Sequence, residues 1–524
     1  MFKKLLASTL AGCMVIGSLA ACGSTDTAAQ DNAVKETEAK AAESVSEPAA
    51  EKEAETAKGE PTNLILFNVC GDLAEDHDEV WGKINEILTE KINVTVEYRN
   101  ITWAEYDQKY PMIISSGEQV DILYCMNGTW QNYVEKGAFM DLTELAPVYA
   151  PNLYGAYSED QIQASSMDGK LWIMPPNYSV QVINGVAVRG DLMDKYGIEE
   201  IKNADDFVDY LTTVYANEEG FSLFQDNSRL IPTGSTGTVG EWSALSGTSN
   251  LFFFNGSEGA DYTDIRLPYE IDRQIADWEA VSRAYEAGVV PKDVLMTQVV
   301  SHEAFAEGTM PAACVNTGNF SSTGVWGKIM EEHPEWDVRW YCFDPEISPV
   351  VSPIANGWVI PTTAKNPELS LQVMELLAMD EELNRLVNYG IEGKHYVINE
   401  DGQRDLPEGV TAEERGYNGY GSIHWSKDFK LADAGTWPEY EATLSAYVDR
   451  GHISPLNGFT PDFTAVETEL ANMTALWSEY VKSLDYGVLP VSETIEEVKA
   501  AMEAAGAEKV REELKAQIAA FLAE

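Results

Sequence analysis

Cys22 and the residues before it have the pattern of a lipid-attachment site. Two lysines and an apolar run end in Leu19-Ala20-Ala21-Cys22. A signal peptidase that cuts before cysteine requires a branched apolar residue three positions upstream, small residues beside the cut and a thiol to carry the lipid. The alternative is an ordinary secretory signal with an incidental cysteine. We predict a lipoprotein signal peptide over 1–21 and a mature chain anchored through Cys22 to the outer face of the cell membrane.

A second group of residues could hold a neutral ligand through amide, hydroxyl and ring groups. Asn127, Thr129 and Trp130 follow the apolar segment 120–124, which predicts a buried strand. In a mainly parallel sheet the ligand edge lies at the carboxyl ends of the strands. These side chains are therefore expected at a binding crevice. Asn and Gly are also the usual residues of tight turns, so turn formation is the alternative interpretation.

The elements that must position these residues are strands that alternate with helices. Hydrophobic periodicity predicts strands over 63–69, 94–98 and 120–124 and helices over 76–91 and 103–115. This alternation indicates an α/β fold with a mainly parallel sheet. Residues 494–524 carry apolar side chains at helical spacing with a break at 504–506, which predicts an interrupted C-terminal helix.

Composition limits the domain organisation and the partners. Residues 22–61 have no aromatic side chain and few groups to bury, so they predict a disordered acidic tether. The remaining ~460 residues suffice for two or three domains. The net charge of −51 argues against nucleic acid as a partner and against binding to an anionic membrane surface. Beyond Cys22 four cysteines remain and stand singly, and the sequence leaves their pairing open: Cys70, Cys125, Cys314 and Cys342.

Eight segments carry a resemblance to a known family: Val120 to Tyr124, Asp168 to Pro175, Val188 to Ile198, Phe305 to Ala313, Asn356 to Pro361, Lys365 to Glu368, Asn388 to Tyr396 and Pro455 to Phe459. In this order they resemble the extracellular solute-binding lipoproteins of ABC importers, of the family 1 type associated with sugars and oligosaccharides. The last two segments and the C-terminal helix are similar to a subgroup of large lipoproteins. Asn127 and Thr129 depart from the pattern, because some members have an acidic and a basic residue there.

The resemblance implies a two-lobed α/β fold of the periplasmic-binding-protein type, a hinged trap with type II crossovers and an extended C-terminal helix. Lobe one would comprise 62–178 and 354–396, and lobe two 179–352 and 397–524. The crossovers would lie near 177–182 and 345–353, with a third between 396 and 437. Such a monomer captures a solute by closing its lobes and delivers it to the permease subunits of the importer. No bond is made or broken, so no catalytic residue, metal or cofactor is expected.

Position in the predicted fold selects the candidate ligand-binding residues. They lie after strands, at crossovers or in polar loops: Asn127, Thr129, Trp130, Asn177, Tyr178, Trp242, Asn316, Asn319, Trp358 and Phe459. A pyranose would stack on the rings and hydrogen bond to the amides and hydroxyls. We expect Trp130 and Trp242 to face each other across the cleft and sandwich the ligand. The alternatives are turn formation for the asparagines and core packing for the tryptophans, which we favour for Trp81, Trp172, Trp278 and Trp477.

Two other classes of function stay open on the sequence. The abundant acidic residues are compatible with a surface glycoside hydrolase or with a binder of peptides or other cationic solutes. No nucleophile elbow, zinc-protease, phosphate-loop or calcium-loop motif occurs, and His395 and His424 have no partner at metal spacing. The lining of the cleft discriminates among the classes. Rings with amides favour a sugar, converging carboxylates favour a cationic ligand, and a carboxyl pair about 5 to 9 Å apart favours hydrolysis.

Overall fold

The computed structural model describes residues 59–524, apart from 127, 178–181, 233–236, 413, 420–425, 427 and 524, with the backbone alone described at 107 and 323. The predicted lipid-attachment site at Cys22 and most of the tether lie outside the described residues. So do the candidate residues Asn127 and Tyr178 and the histidine His424. None of the described helices combines the length and the hydropathy that a membrane span requires.

Fifteen strands occur in the described residues. They are β1 (Thr62–Cys70), β2 (Val94–Thr102), β3 (Ile122–Met126), β4 (Ser166–Met167), β5 (Lys170–Leu171), β6 (Asn184–Val188), β7 (Thr238–Val239), β8 (Trp242–Ala244), β9 (Phe253–Asn255), β10 (Ile265–Arg266), β11 (Ala312–Asn316), β12 (Arg339–Tyr341), β13 (Asn356–Val359), β14 (Val397–Ile398) and β15 (Arg404–Asp405). They form three larger sheets and two short hairpins.

Eighteen α-helices accompany the strands in the described part of the chain. They are α1 (His77–Ile92), α2 (Tyr106–Ser115), α3 (Trp130–Glu135), α4 (Ala146–Tyr149), α5 (Pro151–Gly155), α6 (Glu159–Ala164), α7 (Gly190–Tyr196), α8 (Ala204–Asn217), α9 (Asp272–Glu286), α10 (Ser301–Ala306), α11 (Thr317–Ser321), α12 (Lys328–Glu332), α13 (Pro367–Met379), α14 (Glu381–Tyr389), α15 (Tyr440–Arg450), α16 (Glu467–Asp485), α17 (Val491–Ala505) and α18 (Ala507–Phe521).

The first sheet has the order β13-β3-β1-β2. β1 runs parallel to β2 over its full length and parallel to β3, whereas β13 is antiparallel to β3. Its strands are largely apolar because helices cover the sheet, and Leu64, Leu66 and Ile122 are completely buried against side chains that include Ile84 of α1 and Leu371 of α13. The mainly parallel sheet predicted for the first part of the chain is therefore confirmed.

The other two sheets are antiparallel. β6 lies between β11 and β12, and its buried residues pack on α8 through a core that includes Phe207 and Leu211. The strands β7 to β10 form a separate sheet, in the order β10-β9-β8-β7. Its core continues into the C-terminal helices, with Met473 of α16, Met502 of α17 and Val510 of α18 among its buried residues.

The long elements lie where periodicity predicts them. The predicted strand over 94–98 extends to Thr102, and the predicted helix over 103–115 opens with a 3₁₀ turn at Trp103–Glu105 before α2. The predicted break in the C-terminal helix separates α17 from α18. Gly506 has a φ of 104° there, a conformation that an L residue with a side chain rarely adopts, so the helix ends at the glycine.

Cys70, Cys125, Cys314 and Cys342 are all free thiols in the described structure. The first three are buried, and burial raises the pKa of each, to about 11 for Cys70 and about 12 for Cys125 and Cys314. These thiols therefore stay protonated at neutral pH and act as small packing groups.

Candidate functional site

The ends of four strands meet at one edge of the first sheet. β1, β2 and β3 end there, and β13 begins there because it is antiparallel, with Asn356 paired with Met126. The loops that follow parallel strands converge at such an edge, where α/β proteins bind ligands. Residues that directly follow β3 line a cavity of about 580 Å³, which we call the main cleft.

Five separate parts of the chain line the main cleft. The loop and helix after β3 contribute Gly128, Thr129 and Gln131, and α6 contributes Ala164. Strand β8 and the loop after it contribute residues 243–247. The segment 350–353, which lies within the predicted second crossover, and residues 453–459 complete the wall. A ligand in the main cleft would contact the first sheet's lobe and the opposite wall together, which is the requirement for closure driven by binding.

The main cleft is neutral although the protein is strongly acidic. Among the described residues that line it, none is Asp, Glu, Lys, Arg or His. Its polar groups are hydroxyls and amides, and its apolar surface includes two phenyl rings: Thr129, Gln131, Ser243, Ser246, Ser249, Asn250, Ser352, Ser454, Asn457, Phe254 and Phe459. Since 86 residues of the chain are acidic, a lining without any carboxylate favours an uncharged, hydroxyl-rich ligand.

Gln131 is a polar residue of the main cleft that the sequence analysis missed. It lies in the first turn of α3 and is only 7 % exposed. Its Oε1 atom is buried and accepts no hydrogen bond from the described residues. A buried acceptor without a donor costs roughly 1 to 3 kcal/mol, so a ligand hydroxyl that donates to it would remove this cost.

Direct contacts join the two sides of the main cleft. The Ser246 hydroxyl approaches the Gly128 carbonyl oxygen at 3.5 Å. The side-chain amide of Asn457 donates to the Asp160 carbonyl at 3.3 Å, and that of Gln163 donates to the Asn457 carbonyl at 3.3 Å. These contacts are few and long, as expected for surfaces that separate when a cleft opens.

The structure does not place Trp130 and Trp242 on opposite sides of a ligand, as the sequence analysis predicted. Trp130 is 1 % exposed and belongs to the core beneath the first sheet, and Trp242 is 4 % exposed and packs with Val239, Phe253 and Ile271. The Arg266 guanidinium covers the Trp242 ring at 4.3 Å from its centroid. Neither ring lines the main cleft, so neither is available to stack on a ligand in this structure.

Two other candidates also have structural roles. Trp358 is 3 % exposed on β13 and packs edge-on against Tyr124, with ring centroids 6.3 Å apart. The amide of Asn177, 3 % exposed, donates to the Ser426 hydroxyl at 3.0 Å. Trp358 is therefore part of the core, and Asn177 links two segments of the chain.

The asparagines after β11 cap a helix. The Asn316 carboxamide oxygen accepts a hydrogen bond from the backbone N–H of Asn319 at 2.8 Å, and Asn316 is the N-cap of α11. This is the turn-forming alternative that the sequence left open. Asn319 itself is exposed. Thr129 and Phe459, by contrast, line the main cleft, and the Phe459 ring packs edge-on against Phe521 of α18 at 5.3 Å.

His395 is completely buried in a satisfied site. Its Nδ1 accepts a hydrogen bond from the Ile391 N–H at 2.8 Å, which leaves Nε2 to donate to the Asp76 carboxylate at 3.1 Å. The Lys394 ammonium also contacts Asp76, at 2.9 Å, and its hydrogen bond with that carboxylate holds the pKa of Asp76 below its usual range. The cluster connects α1 to the segment after α14 and stands apart from the main cleft.

Comparison with known proteins places most of the chain in a described family. A family model described as "Bacterial extracellular solute-binding protein" matches residues 83–391, and a second model, a domain of unknown function (DUF3502), matches residues 455–523. A protein of Streptococcus pneumoniae serotype 4, described as a carbohydrate ABC transporter substrate-binding protein, is 24 % identical over 483 residues, which cover 88 % of this chain and 91 % of the relative.

Solved structures share the fold at low sequence identity. The N-glycan transport solute-binding protein NgtS of S. pneumoniae superposes with a TM-score of 0.73 at 21 % identity, covering 88 % of this chain and 99 % of that chain. The alginate-binding protein AlgQ2 gives a TM-score of 0.63 at 15 % identity, covering 89 % and 99 %. Both are solute-binding proteins of two domains, so the fold predicted from the sequence is confirmed.

Proposed function

The chain belongs to the bacterial extracellular solute-binding protein family, and from that premise we propose that it captures a neutral oligosaccharide in the main cleft and delivers it to an ABC importer. Capture requires closure of the two lobes around the ligand. The ligand shifts the equilibrium between open and closed forms by its greater affinity for the closed form. The protein performs this task without making or breaking a bond.

The neutral lining of the main cleft carries the proposal. Sugar hydroxyls both donate and accept hydrogen bonds, and they match the serine hydroxyls and the amides of Gln131 and Asn250. A cationic solute would require carboxylates that converge on the cleft, and hydrolysis would require a pair of carboxyl groups at the site. The described lining offers neither, although carboxylates are abundant elsewhere in the chain.

The relatives support a sugar as the ligand class. NgtS has been crystallised with Man1GlcNAc and with Man5GlcNAc, and the S. pneumoniae protein FusA, with a TM-score of 0.60, has been crystallised with kestose. These ligands serve as probes for this chain. They include both hexopyranose and fructose units, so they sample two kinds of neutral oligosaccharide.

The test is a thermal-shift and calorimetric screen with Man1GlcNAc, Man5GlcNAc, kestose, a tripeptide mixture and spermidine. A ligand at a hundredfold excess over its Kd stabilises the native state by about 2.7 kcal/mol. We expect at least one sugar to raise the melting temperature and to bind in calorimetry. Gln131→Leu should then weaken sugar binding about 2- to 13-fold, because the ligand loses one neutral hydrogen bond while the volume of the residue is kept.

The matched control is Gln108→Leu, which changes an exposed residue of α2 that does not line the main cleft. It should leave the affinity unchanged. A screen in which only the tripeptides or spermidine raise the melting temperature would contradict the proposed ligand class. Equal affinities of Gln131→Leu and wild type for the sugar would contradict the role of Gln131.

We further propose that the protein is anchored through a lipid on Cys22 and presents the cleft outside the cytoplasmic membrane. Cys22→Ala should abolish incorporation of a palmitate label and release the protein from the membrane fraction of bacterial cells, because the substitution removes the thiol that carries the lipid. Cys342→Ala is the control, and it should remain labelled and membrane-bound. A labelled, membrane-bound Cys22→Ala protein would contradict the anchor.

A further inference from the structure

Trp103 is exposed at the same sheet edge as the main cleft. It directly follows β2 and is 53 % exposed, and among the described tryptophans no other has a large exposed surface. Every other described tryptophan is buried or partly buried. Leaving a large apolar ring in water has a free-energy cost, so an exposed tryptophan beside a cavity suggests a partner for its surface.

The surroundings of Trp103 hold the ring in place. The residue begins the 3₁₀ turn at Trp103–Glu105, in which the Glu105 carboxylate accepts from the Thr102 N–H at 3.4 Å and pairs with Lys109 at 2.6 Å. The ring centroid lies 6.2 Å from that of Tyr106 and 6.0 Å from that of Tyr124, with the Tyr124 ring perpendicular to it. A ring already fixed by its neighbours loses little conformational entropy when a ligand stacks on it.

A second cavity of about 580 Å³, which we call the rim cavity, lies against this ring. Its lining includes Trp103, Tyr124, Asp72, Asn356 and Asn418. The Oδ1 atom of Asn356 is buried and has no hydrogen-bond partner among the described residues, whereas the Asn356 side chain hydrogen bonds with Tyr124. Burial raises the pKa of Tyr124, so its hydroxyl stays neutral. A ring with neighbouring amides and a phenol is suited to one more sugar unit.

The main cleft and the rim cavity flank the end of β3. Tyr124 of β3 lines the rim cavity, and Gly128, just beyond β3, lines the main cleft. Segment 350–353 of the main cleft leads within three residues into Asn356 of the rim cavity. Neighbouring strands lie about 4.8 Å apart, and β1 separates β3 from β2, so Trp103 lies roughly 10 Å along this edge from the end of β3.

We infer that Trp103 is the stacking platform of a second sugar subsite, so that the protein selects oligosaccharides long enough to extend from the main cleft into the rim cavity. The inference rests on the proposed function and adds a length preference to it. The occupant is a further unit of the same oligosaccharide, because both cavities open at one edge of one sheet.

The test compares short and long probes by calorimetry: Man1GlcNAc with Man5GlcNAc, and kestose with fructo-nystose. Trp103→Ala should lower the affinity for the longer sugar of each pair that binds by about 5- to 150-fold, by analogy with aromatic stacking on nucleic-acid bases. It should leave the affinity for the shorter sugar nearly unchanged. Trp103→Phe, which keeps a ring, should restore most of the affinity. Met112→Ala, at a 67 % exposed residue of α2 outside both cavities, is the control and should match wild type.

Each outcome has a separate meaning. Unchanged binding of the longer sugar by Trp103→Ala would overturn the subsite. Equal weakening of both sugars would place Trp103 in the primary site and overturn the length preference. Failure of the wild-type protein to bind any of the four sugars would overturn the proposed function and the subsite together. Chemical denaturation of each variant shows whether it is folded, and a ring that is 53 % exposed predicts a smaller loss of stability than a ring in the core.

Discussion

Trp130→Ala is expected to lower the unfolding free energy by about 3 to 5 kcal/mol while the folded molecules bind sugar with nearly wild-type affinity. The ring is 1 % exposed in the core of the first lobe, and truncation would leave a cavity there. Its Nε1–H has no acceptor among the described residues, so the loss comes from packing rather than from a broken hydrogen bond. Guanidinium denaturation and calorimetry on the same preparation measure the two quantities separately.

Trp130→Phe is the matched control for this prediction. It keeps most of the buried ring and sacrifices no hydrogen bond to the described residues, so its loss of stability should be clearly smaller than that of the alanine variant. A stable Trp130→Ala protein with strongly weakened sugar binding would return this residue to the ligand site. It would also imply a different side-chain arrangement in the bound form.

The sequence predicted the long elements well because their signals are local and repeated. The apolar run at 63–69 and the helical stripe at 76–91 each specify one structure over many residues. The same applies to the interrupted C-terminal helix, where Gly506 marks the break. These elements, together with the order of the family's segments, were enough to predict the two-lobed fold.

The direction of single side chains was not predictable in the same way. Trp130 directly follows the loop after β3, and the sequence suggested a loop residue that faces the ligand. In the structure it opens the short helix α3, in which consecutive residues point about 100° apart. Trp130 therefore enters the core while Gln131 lines the cleft. A helix of six residues is too short to give a readable stripe.

Trp242 shows the same effect in a strand. It belongs to β8, a strand of three residues within a polar stretch of sequence. Successive side chains of a strand point to opposite faces, so Trp242 packs into a small core and Ser243 lines the main cleft. In both places the residue next to the predicted tryptophan is the one that faces the cavity.

Trp103 was overlooked for a related reason. The sequence placed it only at the start of the predicted helix over 103–115, and the structure shows that the preceding strand extends to Thr102 and places the ring at the sheet edge. A tryptophan at the end of a strand and before a helix, next to a predicted ligand edge, is a signal that could have selected it. Gln131 had no comparable signal, because its unpartnered oxygen is a property of packing alone.

Ionisation of Asp485 is expected to make the unfolding free energy of the protein depend on pH. Asp485 is the last residue of α16 and lines a cavity of about 240 Å³ together with Trp278 and Trp477. Burial raises its pKa from an ordinary value of 3.8 to about 6, although the Trp278 Nε1–H donates to its Oδ1 at 2.8 Å. The neighbouring Asp277 carboxylate raises it further, and the negative end of the helix dipole opposes the charge as well.

The sign of the effect follows from proton binding. In the unfolded chain an Asp titrates near 3.9, so between pH of about 4 and 6 the native state holds a proton that the unfolded state has released. The unfolding free energy therefore falls as the pH rises through this window. Above a pH of about 6 the native carboxyl group is ionised as well, and the full free-energy cost of its buried charge lowers the stability. A shift of about two pKa units corresponds to about 3 kcal/mol.

Asp485→Asn should accordingly stabilise the protein by up to about 3 kcal/mol at pH 7.5 and have little effect at pH 4. The amide oxygen still accepts the hydrogen bond from Trp278, and the charge is removed. Denaturation of the variant and of the wild type at several pH values between 4 and 7.5 gives the difference between their unfolding free energies as a function of pH. The contributions of the other carboxylates are the same in both proteins and cancel in this difference. Asp401→Asn, at an exposed turn, is the control and should give a flat curve near zero. A difference for Asp485→Asn that does not change with pH would show that the native carboxyl group titrates like an exposed one.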